Sequence, residues 1–168
     1  MPLGPEELLA FLDRLGIAVT THRHPPVFTV AEAALHTAHL PGGHTKNLFL
    51  EDRGGGLWLV TCLDRQPVRV NALARLLGAP RVSFASAERL REVLGVEPGS
   101  VTPFALVNDR AHRVRPVWDS KMLALSLLNF HPLVNTMTTA IATADLRRFA
   151  AATGHLPLEL DLDATQGG

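Results

Sequence analysis

Lys46 stands where a glycine pair opens into an apolar run, in Gly42-Gly43-His44-Thr45-Lys46-Asn47-Leu48-Phe49-Leu50. An ammonium at the mouth of a strand, desolvated by cleft walls, either holds a negative group as a point charge or drops its pKa and handles protons. The position equally suits an ordinary strand-end lysine. Gly99-Ser100-Val101-Thr102-Pro103 is a GxxxP loop entering an apolar segment. Its glycine permits an unusual turn and its proline fixes the exit, leaving the amides of Ser100, Val101 and Thr102 free of ladder pairing and able to point at a carbonyl oxygen. Preorganised amides of that kind stabilise the oxyanion of acyl transfer. His131, in Asn129-Phe130-His131-Pro132, has the chemistry of an acid/base, a substrate contact or a pocket wall.

Other constellations compete. His22-x-His24 and His36-x-x-His39 offer metal-ligand pairs, the second on one helix face. No carboxylate or cysteine completes a recognised metal spacing, so neither metal nor cofactor is expected. Ser100 lacks a Gly-x-Ser-x-Gly elbow, and neither a Walker loop nor GxGxxG occurs. A serine-hydrolase triad, nucleotide-triphosphate chemistry and dinucleotide redox are therefore poor readings. Cys62, the single cysteine, sits in the apolar run Leu57 to Leu63 and reads as a core-strand residue.

These residues need a scaffold, and the composition supplies one. The chain of 168 residues is 46% hydrophobic, enough for one domain with a sizeable core, expected over 1–163 with a frayed tail at 164–168. Charge balances at 16 Lys+Arg against 16 Asp+Glu, which argues against a wholly basic nucleic-acid surface. Cations gather locally at Arg65 and Arg69 to Arg75 and at Arg110, Arg113 and Arg115, and acids at Glu159, Asp161 and Asp163; each group reads as a solvated face. There is neither the start of a signal peptide nor an apolar run of the roughly 18 residues a membrane span requires. A cytoplasmic protein with no membrane partner is expected.

Along the chain, Pro5 and acidic first-turn residues open a helix that Gly16 ends. A strand follows over 18–23, and Thr29-Val30-Ala31-Glu32 is a capping box for an alanine-rich helix to about His39. The runs 48–50 and 57–60 form a hairpin through Gly54-Gly55-Gly56. A helix over 71–77 ends at Gly78, a short strand spans 82–84, and Ser86 caps a helix through Leu94. Residues 104–107 are expected to pair with 112–118 as a second hairpin, 121–129 reads as either helix or strand, 136–142 is β-rich and 144–152 is a final helix. The expectation is α+β: a mixed, mostly antiparallel sheet with flanking short helices.

Residues 5–160 resemble a YbaK-type domain. Gly43-His44-Thr45-Lys46-Asn47-Leu48 is similar to that family's lysine strand and Gly99 to Pro103 to its GxxxP loop. Asn129-Phe130-His131-Pro132-Leu133-Val134-Asn135-Thr136-Met137-Thr138 resembles the ProX branch, the free-standing prolyl-tRNA editing proteins. The resemblance implies an aminoacyl-tRNA editing fold that hydrolyses the ester of a wrongly charged tRNA, for ProX alanine on proline tRNA. The YbaK branch removes cysteine, and its glycine-rich run ahead of a basic residue is not visible near Asn129 to Asn135. By the same resemblance Lys46 contacts the terminal adenosine or its phosphate, and Gly99 with the amides of Ser100, Val101 and Thr102 holds the acyl carbonyl. Thr45, Asn47, Pro103 and His131 bind the substrate, with water as nucleophile. The implied partner is the acceptor end of tRNA(Pro), with prolyl-tRNA synthetase an open second one. Three alternatives stand beside this reading: a cysteinyl-tRNA(Pro) deacylase, a non-catalytic aminoacyl-tRNA-binding module, and a metal-dependent hydrolase built on the histidines.

Overall fold

Residues 43–52 and 57–63 alternate or run apolar on either side of a glycine turn, and in the computed structural model, which describes residues 1–165, they pair as the central ribbon. In chain order the elements are α1 (Pro5–Arg14), β1 (Val19–Arg23), α2 (Val30–Thr37), β2 (Gly43–Asp52), β3 (Leu57–Leu63), α3 (Val70–Leu77), β4 (Val82–Phe84), α4 (Ala87–Leu94), β5 (Val114–Asp119), α5 (Ser120–Leu123), β6 (Leu127–Phe130), β7 (Met137–Ala142), α6 (Thr143–Ala152) and β8 (Leu158–Leu160), with 3-10 turns at Pro103–Asn108 and Leu162–Thr165. The strands lie in the order β1-β7-β6-β2-β3-β5-β8, with β4 beside the end of β2. The β1–β7, β6–β7, β2–β3 and β2–β4 pairs are antiparallel, whereas β2–β6, β3–β5 and β5–β8 are parallel. This is the expected α+β, mostly antiparallel architecture.

Local chemistry explains most element ends. Pro5 and the first-turn acids Glu6 and Glu7 begin α1, and the Glu7 carboxylate accepts from the Gly4 amide at 2.9 Å. Thr29 caps α2 by accepting from the Glu32 amide at 3.0 Å, and Ser86 caps α4 through the Arg89 amide at 3.0 Å. The expected tail at 164–168 is only partly described: Leu162–Thr165 close the last 3-10 turn, and residues 166–168 lie outside the described residues.

One element differs from expectation. Residues 104–107 form no strand, and no second hairpin exists; they turn inside a 3-10 helix, while β5 runs parallel to β3. Pro103 fixes φ at the first helical position, and the Thr102 hydroxyl caps the turn by accepting from the Phe104 amide at 3.2 Å. Phe104, Ala105 and Leu106 are continuously apolar because the turn itself is buried. The ambiguous stretch 121–129 resolves into both alternatives, α5 and then β6.

Two apolar layers sandwich the sheet. One joins Leu8, Leu12, Phe49, Leu59, Phe104, Trp118, Phe130, Leu146 and Phe149; the other joins Leu50, Trp58, Val60, Cys62, Leu73, Val82, Val117 and Leu162. A polar pin holds the entrance to β5. Buried Asp109 accepts from the amides of Arg113 (3.0 Å) and Val114 (2.8 Å) and from His155 Nε2 (2.9 Å). Burial opposes its charge, but the bonds from His155, Val114 and Arg113 outweigh that and hold its carboxyl below the ordinary carboxylate range. Its folded pKa is depressed, so its contribution to stability is present above the unfolded value of about 3.9 and is lost as pH falls through the folded one. Asp109→Ala should therefore cost roughly 3 kcal/mol in urea unfolding at pH 7 and flatten the acid limb of the stability profile; an unfolding midpoint within error of wild type would contradict the pin.

Candidate active site

The site begins at the Gly42-Gly43 turn. Gly42 has φ +94°, and a β-carbon there would lie 2.9 Å from the Leu127 carbonyl oxygen, so β2 approaches β6 as closely as it does only because glycine occupies the turn. Asn129 then clamps the junction. Its side-chain amide donates to the Pro41 oxygen at 2.9 Å and the Gly43 oxygen at 3.2 Å, and its own carbonyl accepts from the Thr45 hydroxyl at 2.6 Å.

Alternation along β2 gives Lys46 the opposite face from Thr45 and Asn47. The consequence is a divided site. Thr45 and Asn47 line a cavity of about 420 Å³ with Asn129, Phe130, His131 and Thr138, which Lys46 does not reach. Lys46 lines an adjoining cavity of about 240 Å³ with Gly99, Val101 and Phe28. Thr45, Asn47 and His131 line both, so the two cavities adjoin. Asn47 is oriented by the Thr61 hydroxyl, which donates to its oxygen at 2.6 Å and leaves the amide hydrogens for a ligand. No carboxylate pairs with Lys46 among the described residues.

At Gly99 φ is +92°, and a β-carbon would meet the Phe28 ring at 3.0 Å. The expectation that all three following amides are free needs correction at Ser100, whose amide donates to the Glu97 oxygen at 2.9 Å. A turn ahead of the loop captures it. The amides of Val101 and Thr102 have no hydrogen-bond partner among the described residues, and Val101 is the one beside the cleft. Ser100, Thr102 and Pro103 are buried and line neither cavity; Thr102 and Pro103 instead start the 3-10 turn.

His131 is half-buried. Its Nδ1 donates to the Met137 carbonyl at 2.9 Å, because a carbonyl can only accept, and this leaves Nε2 as an acceptor in the neutral ring. Burial lowers its pKa below the ordinary histidine value; the Met137 bond opposes the shift, and nearby His24 adds to it. His24 donates from Nδ1 to the Pro25 oxygen at 2.8 Å and meets the Thr138 hydroxyl at 2.8 Å, fixing another residue of the cavity wall.

The histidine pairs do gather, but His36 and His39 do not share a helix face as expected, since α2 ends at Thr37 and His39 stands in the turn beyond it. Ring centroids lie 5.6 Å apart for His22 and His39 and 6.2 Å for the stacked His24 and His36. Even so, no three His, Cys, Asp or Glu side chains among the described residues are placed to hold a metal ion. The Cys62 thiol is buried and pushed up to about 11 by desolvation, which leaves it inert as a nucleophile. Among the described residues, no helix is long and apolar enough to cross a membrane.

Residues 24–149 match the aminoacyl-tRNA editing domain family. The prolyl-tRNA synthetase associated domain-containing protein 1 of Danio rerio is 41% identical over 160 residues, covering 94% of this chain and 87% of that protein. The prolyl-tRNA editing protein ProX of Acetoanaerobium sticklandii is 32% identical over 151 residues, covering 89% and 92%. A solved structure described as a candidate trans-editing enzyme for prolyl-tRNA synthetase shares the fold at a TM-score of 0.71 and 19% identity, over 96% of this chain and 99% of that one.

Sequence reasoning assigned no role to Asn129 itself, although a polar residue inside Leu127-Leu128-Asn129-Phe130 signals a buried amide that must find partners. Phe28 and the α2 wall left no comparable signal. The histidine environment is directly measurable. Proton-carbon NMR should show His131 titrating below about 6.5, with a ring signature of Nδ1 protonation at neutral pH; titration at or above that value would mean that the ring is solvated and its bond to Met137 absent.

Proposed function

Since the chain belongs to the family of aminoacyl-tRNA editing domains, of the YbaK/ProX type, we propose that it is a single-domain hydrolase that deacylates mischarged tRNA(Pro), above all alanyl-tRNA(Pro). The observation that carries the reading is the cleft: an unpaired lysine, the positive-φ Gly99 turn with an unpartnered Val101 amide beyond it, and an acceptor nitrogen on a half-buried histidine border two adjoining cavities. Its relatives' names, prolyl-tRNA editing protein among them, set the substrate class proposed.

In this reading the 3′-terminal adenosine enters beside Lys46, whose ammonium holds the adjacent phosphate as a point charge. The ester carbonyl lies against the Val101 amide, the one beside the cleft. Water adds to the acyl carbon and the carbonyl becomes an oxyanion held by that donor; its collapse expels the ribose oxygen, which takes up a proton, and releases the free amino acid. A ribose hydroxyl of the substrate, in preference to a protein base, relays the proton: it accepts from the attacking water as it passes its own proton to the departing ribose oxygen. Thr45, Asn47 and His131 bound the amino-acid side of the cleft. Nε2 of His131 is an acceptor suited to the substrate's ammonium, and the ring is a wall. Proline is then rejected by overlap, which discriminates better than any attraction for alanine, since one methylene is worth only ~1–3 kcal/mol. Ser100 and Pro103 support this loop from beneath. The reaction takes place in the cytoplasm on tRNA, alone or beside prolyl-tRNA synthetase.

A deacylation panel with alanyl-, cysteinyl-, seryl- and prolyl-tRNA(Pro), with and without chelator, tests the proposal. Alanyl-tRNA should be cleaved fastest, prolyl-tRNA spared and chelator without effect, and Lys46→Ala should lose most of the activity while its thermal melt stays close to wild type. Faster cleavage of the cysteinyl ester would move the protein to the other branch, and chelator sensitivity would revive the histidines as ligands. Gly99→Ala should lower the rate by ~10²–10³, as expected when an oxyanion donor is misaimed, because alanine resists φ +92° and its methyl meets Phe28. An unchanged rate would reduce the loop to scaffolding.

A further inference from the structure

The charges of this chain balance in number but not in space. From Arg65 through Ala87 the sequence holds four arginines, at 65, 69, 75 and 81, and no aspartate or glutamate. All four are exposed, and none forms an ion pair with a described residue; nor does Arg53, whose amide donates to the Arg81 oxygen at 2.9 Å. Elsewhere Arg89, Arg91, Arg113, Lys121, Arg147 and Arg148 each hold a carboxylate, while Arg14, Arg23, Lys46, Arg110 and Arg115 form no ion pair with a described residue but do not form an acid-free run.

The free guanidinium groups are also ordered along the fold. Arg65 lines the large cavity and lies two residues beyond Leu63, the β3 partner of Thr45. Arg69 immediately precedes α3, and Arg75 sits in its last turn. Arg81 precedes β4, which pairs with β2 at Asp52. Thr45 to Asp52 is seven steps of strand, roughly 23 Å. The series therefore starts at the mouth of the cleft and ends beside the far end of β2, with α3 carrying the two arginines between.

An ordinary solvated face intersperses both signs, whereas a single-sign run of forked donors matches a row of phosphates, each able to take a bidentate guanidinium. We propose that this arginine track binds the phosphate backbone of the RNA duplex whose single-stranded, aminoacylated end occupies the cleft. The proposal rests on the deacylase reading and deepens it by naming the surface that takes the body of the substrate. Such contacts position the RNA without reading its sequence.

The test is the double variant Arg69→Gln/Arg75→Gln, compared with wild type and with Arg110→Gln, which borders a separate cavity beside Met1 and Glu92. Two substrates are used: alanyl-tRNA(Pro), and the alanyl ester of a CCA trinucleotide that has no duplex. On the tRNA, kcat/KM of the double variant should fall about tenfold through KM. Its dependence on log salt should flatten by roughly two, near the ~0.9 expected per duplex phosphate contact and less for a single strand. On the trinucleotide ester it should match wild type, as Arg110→Gln should on both. Unchanged tRNA kinetics with the wild-type salt slope would overturn the track, and so would an equal loss on both substrates. If the wild-type protein cleaves neither ester, the deacylase reading fails by itself. Fluorescence anisotropy with uncharged tRNA(Pro) then decides the track separately: weaker, less salt-dependent binding by the double variant supports it, and wild-type binding refutes it.

Discussion

The whole site depends on how closely β2 is allowed to approach β6. That parallel pairing spans only two registered positions, Gly43 with Leu128 and His44 with Asn129, yet it joins β1-β7-β6 to β2-β3-β5-β8. So short a ladder has few backbone bonds of its own, and side chains supply the rest: the Asn129 amide to Pro41 and Gly43, and the Thr45 hydroxyl back to Asn129. The glycines make this possible by omission. A β-carbon on Gly43 would lie 2.7 Å from a Leu125 methyl, and one on Gly42 would strike backbone. Spreading the two strands to accept a side chain would move Thr45 and Asn47 away from Phe130 and His131, and the cleft they line together would open into a groove.

The opposite wall is built differently. No α2 residue belongs to either apolar layer, and Thr37 is the only α2 residue that is fully buried. The segment meets the β1 side instead through histidine rings: His36 of α2 stacks on His24, just past β1, and His39, two residues beyond the helix end, meets His22 of β1. Burial of apolar area is what makes displacement costly, so a helix that leaves Leu35 exposed and buries no core side chain is easily moved. One wall of the cleft is thus fastened to the sheet by a hydrogen-bonded clamp, and the other rests against it. That asymmetry would suit the proposed occupant, the bulky end of a polymer whose amino-acid contacts must stay fixed.

What was legible in the sequence was local. Proline at a helix start, glycine after a helix end, a hydroxyl at an N-cap and a triple-glycine turn each act within a few residues, and the corresponding elements lie where those residues put them. Residues 104–107 were misread because an apolar run has the same composition in a buried turn as in a strand; only the cap at Thr102 and Pro103 distinguishes the two. The parallel β3–β5 pairing and the three-residue β8 are non-local and carry no periodic signature. For the site, residue types and family resemblance singled out Lys46, Gly99 and His131. They did not show that the Ser100 amide is taken by Glu97, that Lys46 stands on the other face of β2, or that Asn129 holds the junction.

The exclusion proposed for this cleft would require a wall that does not yield under a methylene. Backbone strain beside His131 bears on that requirement. Leu133 is held at φ +70°, in the left-handed region that a branched side chain avoids, and its amide donates to the His131 carbonyl at 3.0 Å across Pro132. A conformation of this kind costs of order 1–3 kcal/mol and persists only where the surroundings over-determine it. Here they do: Leu133 is packed into the larger apolar layer, Pro132 removes one backbone freedom, and the far side of the His131 ring is tied to Met137 at the start of β7. The imidazole is fixed from its backbone and from its Nδ1 at once. Only Nε2 and one edge are left to meet a ligand, and neither can retreat without breaking a buried hydrogen bond or unpacking a core leucine.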